Sequence, residues 1–153
     1  MIYRYKATIP GNKIFMREYE VRDNASLYSL HTFLINDLGF SPDQMVMFRA
    51  LFKGKVKKEF GLFDFGDGAM DSVYLNELVD GKLTVLEYVY DMYKDRFMTL
   101  EYISDAEELP KRSYPRLVAE KGKNPDQFSD SYDDFEHMLD VSDPDFQDDI
   151  TDS

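Results

Sequence analysis

Apolar residues recur with two different periods along the first hundred positions. From Ile2 to Ile9 they alternate: Tyr3, Tyr5, Ala7 and Ile9 fall on one face and Arg4, Lys6 and Thr8 on the other, the pattern of a half-buried strand. Pro10-Gly11-Asn12 supplies a fixed φ and left-handed freedom for a tight turn. Lys13 to Val21 is then the return strand, with Phe15, Tyr19 and Val21 on a face that also carries Arg17. From Asp23 to Gly39 the period changes. Leu27, Leu30, His31, Leu34, Ile35 and Leu38 lie at i, i+3, i+4, i+7, i+8 and i+11, one apolar stripe along an α-helix. Asn24 or Ser26 can cap its start, and Gly39 can take the left-handed turn that ends it. A helix with one apolar face needs a cover, and its neighbours read as strands, so a sheet is expected against it.

Beyond Ser41-Pro42-Asp43, Met45 to Phe52 is apolar enough for an interior strand, whereas Gly54 to Ser72 is irregular and predicts a long loop or a short strand with a turn. Val73 to Val79 predicts a short helical turn. Leu83 to Tyr90 and Phe97 to Ile103 form a second antiparallel hairpin around Asp91–Arg96. Its aromatics, Tyr88, Tyr90, Tyr93, Phe97 and Tyr102, sit among Glu87, Asp91, Asp95 and Glu101, which favours packing over a base-stacking platform. From Ser104 onward Leu109-Pro110 and Tyr114-Pro115 punctuate an extended connector. Phe128, Tyr132, Phe135, Met138 and Leu139 then predict a short docked helix around residues 130–140. The expected fold is α+β: a β-hairpin–helix–strand, β-grasp-like core with a mixed or antiparallel sheet on one main helix, a second hairpin and an acidic C-terminal helical segment. Residues 1–140 read as a single domain and 141–153 as a mobile acidic tail.

Charge divides the chain. Its 153 residues carry a net charge of −12, yet residues 1–60 hold ten Lys/Arg against six Asp/Glu while residues 61–153 hold eight against twenty-four. A general nucleic-acid binder would cluster cations, so nucleic acid is an unlikely partner unless the acidic tail is displaced. Cysteine is absent, which removes disulfides and thiolate chemistry. No apolar run approaches the roughly 20 residues that span a bilayer, and the N-terminus alternates like a strand, so a cytoplasmic protein is expected, with no membrane partner.

Candidate chemistry is sparse. Asp64, Asp67 and Asp71 invite a calcium reading, but their spacing is wrong for an EF-hand loop. His31 lies on the apolar helix face, where a lone histidine is more often a core residue with a local partner, and the other histidine, His137, lies in the acidic C-terminal segment. Gly66-Asp67-Gly68 lacks the Lys-Ser/Thr of a phosphate loop, no nucleophile elbow is present, and any chosen pair of carboxylates would be arbitrary. No cofactor, metal site or catalytic set is therefore expected.

Several stretches together resemble the plasmid pRiA4b ORF-three-like family, which is also described as insertion-element passenger proteins of TnpR type. They are YRYKATI, FMREYEV, ASLYSLHTFLINDLGF, VYLNEL, DGKLTVLEYVYD and TLEYI, with Arg17, Leu30-His31, Tyr88-x-Tyr90-Asp91 and Leu100-Glu101 the most specific positions. Tyr114-Pro115, Gly122, Pro125 and Tyr132 through Phe135 resemble that family's C-terminal portion. Family members usually continue the Tyr-Asp as Phe-Gly-Asp, with a Trp and a His soon after. Here Met92-Tyr93-Lys94-Asp95-Arg96 follows, and FDFGDG at 63–68 lies upstream. The resemblance implies a fold and a mobile-element setting, and no reaction.

Two functions are consistent with these features. The first is a non-enzymatic protein-binding module contacting an unidentified partner through Arg4, Lys6, Lys13, Lys53, Lys55, Lys57 and Lys58. The alternative is a metal-dependent or nucleic-acid-processing accessory in which His31 works with Asp91 or Asp95, beside Arg17 and Tyr90. The tail supplies a test. Deleting residues 141–153 removes Asp143, Asp145, Asp148, Asp149 and Asp152. If they screen the basic half, heparin affinity should rise at low salt and the gain should shrink once the screening length falls to about 8 Å near physiological salt. Unchanged low-salt retention would leave the tail a solubilising device.

Overall fold

In a computed structural model describing residues 1–129, the strands are β1 (Ile2–Ile9), β2 (Asn12–Arg22), β3 (Met47–Phe52), β4 (Lys55–Gly61), β5 (Val85–Asp91), β6 (Arg96–Ala106) and β7 (Arg116–Lys121). Two α-helices, α1 (Leu27–Leu38) and α2 (Leu75–Asp80), and a 3-10 turn at Met70–Ser72 complete the order. All seven strands join one sheet in the order β4-β3-β5-β6-β1-β2-β7. Every pairing between these strands is antiparallel. The α+β class and the hairpin-helix-strand opening are as the periodicities predict, and of the two sheet types expected the antiparallel one is present. The helix anticipated at 130–140 and the tail at 141–153 lie outside the described residues.

Local signals set α1. Ser26 Oγ accepts the Ser29 N–H at 3.1 Å, one of the orphan donors of the first turn. Gly39 ends the helix at φ 72°, its N–H returning to Ile35 O. All six residues of the predicted stripe are buried. They join one continuous core with Tyr3, Tyr5 and Ala7 of β1, Phe15, Tyr19 and Val21 of β2, Phe48 and Ala50 of β3, Phe60 of β4, Leu86, Tyr88 and Tyr90 of β5, and Met98 and Leu100 of β6. The α2 segment joins the same layer through backbone bonds: Leu27 N–H donates to Val73 O at 2.9 Å, and Leu75 and Asn76 N–H donate to Ala25 and Asp23 O at 3.0 and 2.8 Å.

Three stretches differ from expectation. The irregular region after Gly54 contains β4, a seven-residue edge strand whose first five residues are exposed and mostly charged, which hides the strand signal. The connector expected from Ser104 is still strand as far as Ala106, because β6 continues alongside β1 with Ser104 opposite Arg4 and Ala106 opposite Ile2. Within that connector β7 also forms. Its first four residues are half-buried and its last two exposed, with no alternation, and β2 supplies the ladder that orders them. Gly122 follows at φ 76°, where a Cβ would lie 2.5 Å from Ile14 O, so the chain crosses β2 only with glycine there.

The α1 stripe should dominate stability. Leu34 is fully buried, and Leu34→Ala should cost about 2–5 kcal/mol, measured as a lower urea midpoint with an unchanged m-value. A change under about 0.5 kcal/mol, the size expected for a surface site, would place the core elsewhere.

Candidate functional site

Side chains singled out by sequence fall into separate places in the fold. His31, in the middle of α1, is 6% exposed, and its Nδ1 lies 2.7 Å from the Tyr88 hydroxyl on β5. Burial lowers the His31 pKa and raises that of Tyr88, so both stay neutral and share one buried hydrogen bond. Among the described residues no carboxylate comes within ion-pair distance of the imidazole. The carboxylates proposed to work with it are engaged elsewhere. Asp91 Oδ1 accepts the Tyr93 and Lys94 N–H groups at 3.1 and 3.3 Å, shaping the β5–β6 turn, and Oδ2 pairs with Arg96. Asp95, in the left-handed region at φ 56°, pairs with Arg49 at 3.0 Å, and Arg49 also holds Glu87 at 2.7 Å. The structure therefore does not bring His31 to Asp91 or Asp95. It does place Tyr90 and Asp95 together, in the wall of a cavity of about 260 Å³ between the β1–β2 and β5–β6 turns. Tyr93, grouped with the packing aromatics, is 89% exposed at the tip of that second turn.

Arg17 is 1% exposed, an unusual environment for a guanidinium. Nη1 donates to Met16 O at 2.8 Å and Lys121 O at 2.7 Å, Nη2 donates to Asn124 Oδ1 at 2.8 Å, and the group stacks on Phe15 at 4.5 Å. The nearest carboxylate, Glu120, stands 3.9 Å away and is mostly exposed. Asn124 in turn donates to Asp37 O at 3.2 Å, and Tyr19 donates to Asp37 Oδ2 at 2.7 Å. Three residues later Gln127 takes over: its Oε1 accepts the Ser41 N–H at 2.7 Å and its Nε2 donates to Tyr90 O at 3.0 Å. Arg17, Asn124 and Gln127 thus attach the segment after β7 to the end of α1 and to β5. Sequence reasoning missed Asn124 and Gln127, whose polarity in a Pro-containing stretch resembles any loop.

The predicted basic surface divides in two. Arg4 is bound to Glu20 at 2.6 Å, and Arg116 of β7 holds the other oxygen of Glu20 at 2.7 Å. Burial acts to raise the Glu20 carboxyl, and the two guanidiniums outweigh it and hold it below the ordinary range. Lys6 stands opposite Glu18 on β2 and Glu101 on β6, and Lys13 is exposed at the start of β2. These three lie on strands well separated from β4 in the sheet order. Lys53, Lys55, Lys57 and Lys58 cluster on the β3–β4 hairpin at the sheet edge, exposed, and among the described residues none has a carboxylate within 4.0 Å. The seven cations thus fall into two groups, which β-strand order, invisible in the sequence, separates.

Beside this hairpin is a cavity of about 560 Å³ lined by Phe52, Lys57, Lys58 and Phe60 from the sheet and by Val73, Leu78 and Leu83 around α2, with Asp67, Ser72 and Glu77 on its rim. Asp64 and Asp67, two of the three aspartates that invite a calcium reading, serve the adjoining loop. Asp64 Oδ1 accepts the Gly66 and Gly68 N–H groups at 2.6 and 2.9 Å, which lowers its pKa. Asp67 Oδ2 accepts the Glu59 N–H at 3.0 Å. Among the described residues no group of three or more His, Asp or Glu side chains gathers as a metal site.

Comparison with known proteins bears on this arrangement through the fold. Residues 2–151 match the family described as Plasmid pRiA4b ORF-3-like protein. The chain belongs to that family. A crystal structure of a protein of unknown function, MM3350 from Methanosarcina mazei Go1, is similar with a TM-score of 0.75 at 17% identity, over 93% of this chain and 81% of that one. At that identity the likeness shows a shared fold. Comparison with curated proteins gives no significant match. Of the positions that carried the family resemblance, Arg17, His31 and Asp91 each make a buried or turn-forming contact in this member.

The His31–Tyr88 pair generates a pH test. Its folded pKa lies below the ordinary 6.5, so the unfolded chain takes up the proton more readily; stability is level above about pH 6.5 and is lost as pH falls towards the folded pKa. Urea unfolding at pH 7.5 and 5 should show a smaller decline in His31→Gln than in the wild type. Tyr88→Phe, which leaves Nδ1 without its partner, should cost about 1–3 kcal/mol at pH 7.5. Equal pH slopes in wild type and His31→Gln would refute the assignment.

Proposed function

We propose that this chain is a non-enzymatic protein-binding module acting in the cytoplasm, and that its contact surface is the β3–β4 hairpin. The observation that carries the reading is the cluster of Lys53, Lys55, Lys57 and Lys58, without carboxylate partners among the described residues, while Arg4, Arg22, Arg49, Arg96 and Arg116 are each ion-paired. Edge-strand lysines also deter sheet-to-sheet pairing, and that role alone would suit a polar edge. This edge is not uniformly polar. Val56, between the lysines, is 46% exposed, and beyond the far end of β4, by Gly61, Phe65 is 49% and Phe63 72% exposed, so that cations and apolar groups both reach the surface along this edge, as at interfaces. Part of the edge is already closed by the chain itself, through the Asp67 bond to Glu59 N–H and a bridge between Gly61 and Ala69, which leaves the lysine-bearing half open.

The partner surface that suits this hairpin is acidic. The chain's own Asp/Glu-rich end carries the same sign as such a partner. The accessory-enzyme alternative has weaker support, since the His31 ring is engaged by Tyr88 and the carboxylates assigned to it by Arg96 and Arg49. A β-grasp-like relationship, suggested by the hairpin-helix-strand opening, belongs to the same proposal; the antiparallel pairing of β1 with β6 distinguishes the sheet centre.

The test uses the full chain as bait in native lysate. A stoichiometric partner should be retained at low salt, and Lys53→Glu/Lys55→Glu should reduce its recovery at least severalfold, with the difference narrowing as screening increases. No stoichiometric partner across salt conditions, or one insensitive to the double reversal, would count decisively against this surface.

A further inference from the structure

We propose that the cavity between β4 and α2 is a binding site for a small organic anion, an acidic group carried on an aromatic or aliphatic body. The volume, about 560 Å³, is several times that of one side chain and lies within the range of small-molecule sites, roughly 300–1,000 Å³. Its walls divide by chemistry. Phe52, Phe60, Val73, Leu78 and Leu83 provide the apolar surface, and Lys57 and Lys58 enter from the edge strand. Such a division suits a ligand with an apolar body and a polar end.

The charged groups differ in how freely they can turn to a ligand. Formally the two lysines are balanced by Asp67 and Glu77 on the rim. Each carboxylate keeps its charge but is held in place by a backbone donor: Asp67 Oδ2 accepts from Glu59 N–H at 3.0 Å and Glu77 Oε1 from Tyr74 N–H at 3.2 Å. Glu77 in this way caps the start of α2. The ammonium groups have no such commitment among the described residues, and each offers three donors that a carboxylate or phosphate can accept. Backbone approach also matters at the mouth. Gly68 sits at φ 111°, where a Cβ would come within 3.3 Å of Val73 Cγ2, so glycine keeps this wall open.

The site is separable from protein binding. Lys53 and Lys55 lie outside the cavity and serve to test the hairpin surface; Lys57 and Lys58 line the cavity and serve to test this site. Both are exposed, so their substitution leaves the core untouched.

Titration of the ¹⁵N-labelled full chain with 2-naphthoate, 2-naphthyl phosphate and the uncharged isostere 2-naphthamide decides the matter by amide shifts. Saturable shifts should centre on Val73, Leu78, Gly81 and Leu83, with either anion at least tenfold tighter than the amide. Lys57→Gln/Lys58→Gln should bring the three ligands to within about twofold of one another, since a lost charge-assisted contact is worth about 1.4 kcal/mol per factor of ten. Ser72→Trp, at an exposed rim position, should weaken all three by obstruction. Equal affinity of anion and amide in the wild type, shifts centred elsewhere, or no saturation at low-millimolar ligand would each overturn the assignment. Partner capture lost in Lys53→Glu/Lys55→Glu while naphthoate binding persists would separate this site from the hairpin reading.

Discussion

A mismatch of size governs this fold: one helix has to cover the inner face of a seven-stranded sheet. Twelve residues make a helix about 18 Å long, while seven strands about 4.8 Å apart extend about 29 Å across. Ring contacts carry α1 from Tyr19 on β2, which meets Phe33 at 5.4 Å, to Tyr88 on β5, which meets His31. Beyond those limits other parts of the chain complete the layer. Towards β4 the cover is α2 with its preceding 3-10 turn, tied to the start of α1 by backbone bonds. Towards β7 it is the segment from Gly122 to Gln127.

The two flanks solve the problem differently. On the β7 side the cover is a polar segment with few apolar side chains, so hydrophobic burial cannot hold it. Arg17 does so with donors to two carbonyls and to Asn124. A buried guanidinium is costly to desolvate, and it is tolerated where its donors meet acceptors and its face meets an aromatic ring. On the outer face Glu20, between Arg4 and Arg116, links β1, β2 and β7 by the same kind of charge-assisted bond. On the β4 side the cover is shorter than the space available, and the large cavity is what remains. Structural need absorbs the arginines of the sheet and leaves the hairpin lysines without that duty.

This division changes how the conspicuous residues are read. A histidine on an apolar face, an aspartate after an aromatic pair and an arginine inside a strand suggest chemistry when seen in sequence. In the fold they respectively fill the helix–sheet interface, form a turn and anchor a loop, through hydrogen bonds made close by. The less conspicuous features, an irregular glycine-rich stretch and a lysine-rich strand, line the larger open concavity.

Much of the local structure was readable directly because its causes are local. Alternation defines β1 and β2, the 3.6-residue stripe with Ser26 and Gly39 defines α1, and apolar runs with a charged turn define β5 and β6. The partner of His31 was readable only as a type: a core histidine needs a polar neighbour, but Tyr88 lies 57 positions away and the fold supplies the distance. β7 and most of β4 were not legible. An edge strand buries too little for an apolar pattern to mark it, and its ladder comes from a partner remote in sequence. The separation of Arg4, Lys6 and Lys13 from the hairpin lysines, the embrace of Arg17 by residues 121–124 and the cavity itself all follow from strand order. Strand order depends on long-range pairing and on which surfaces a short helix leaves bare, and no window of neighbouring residues contains that information.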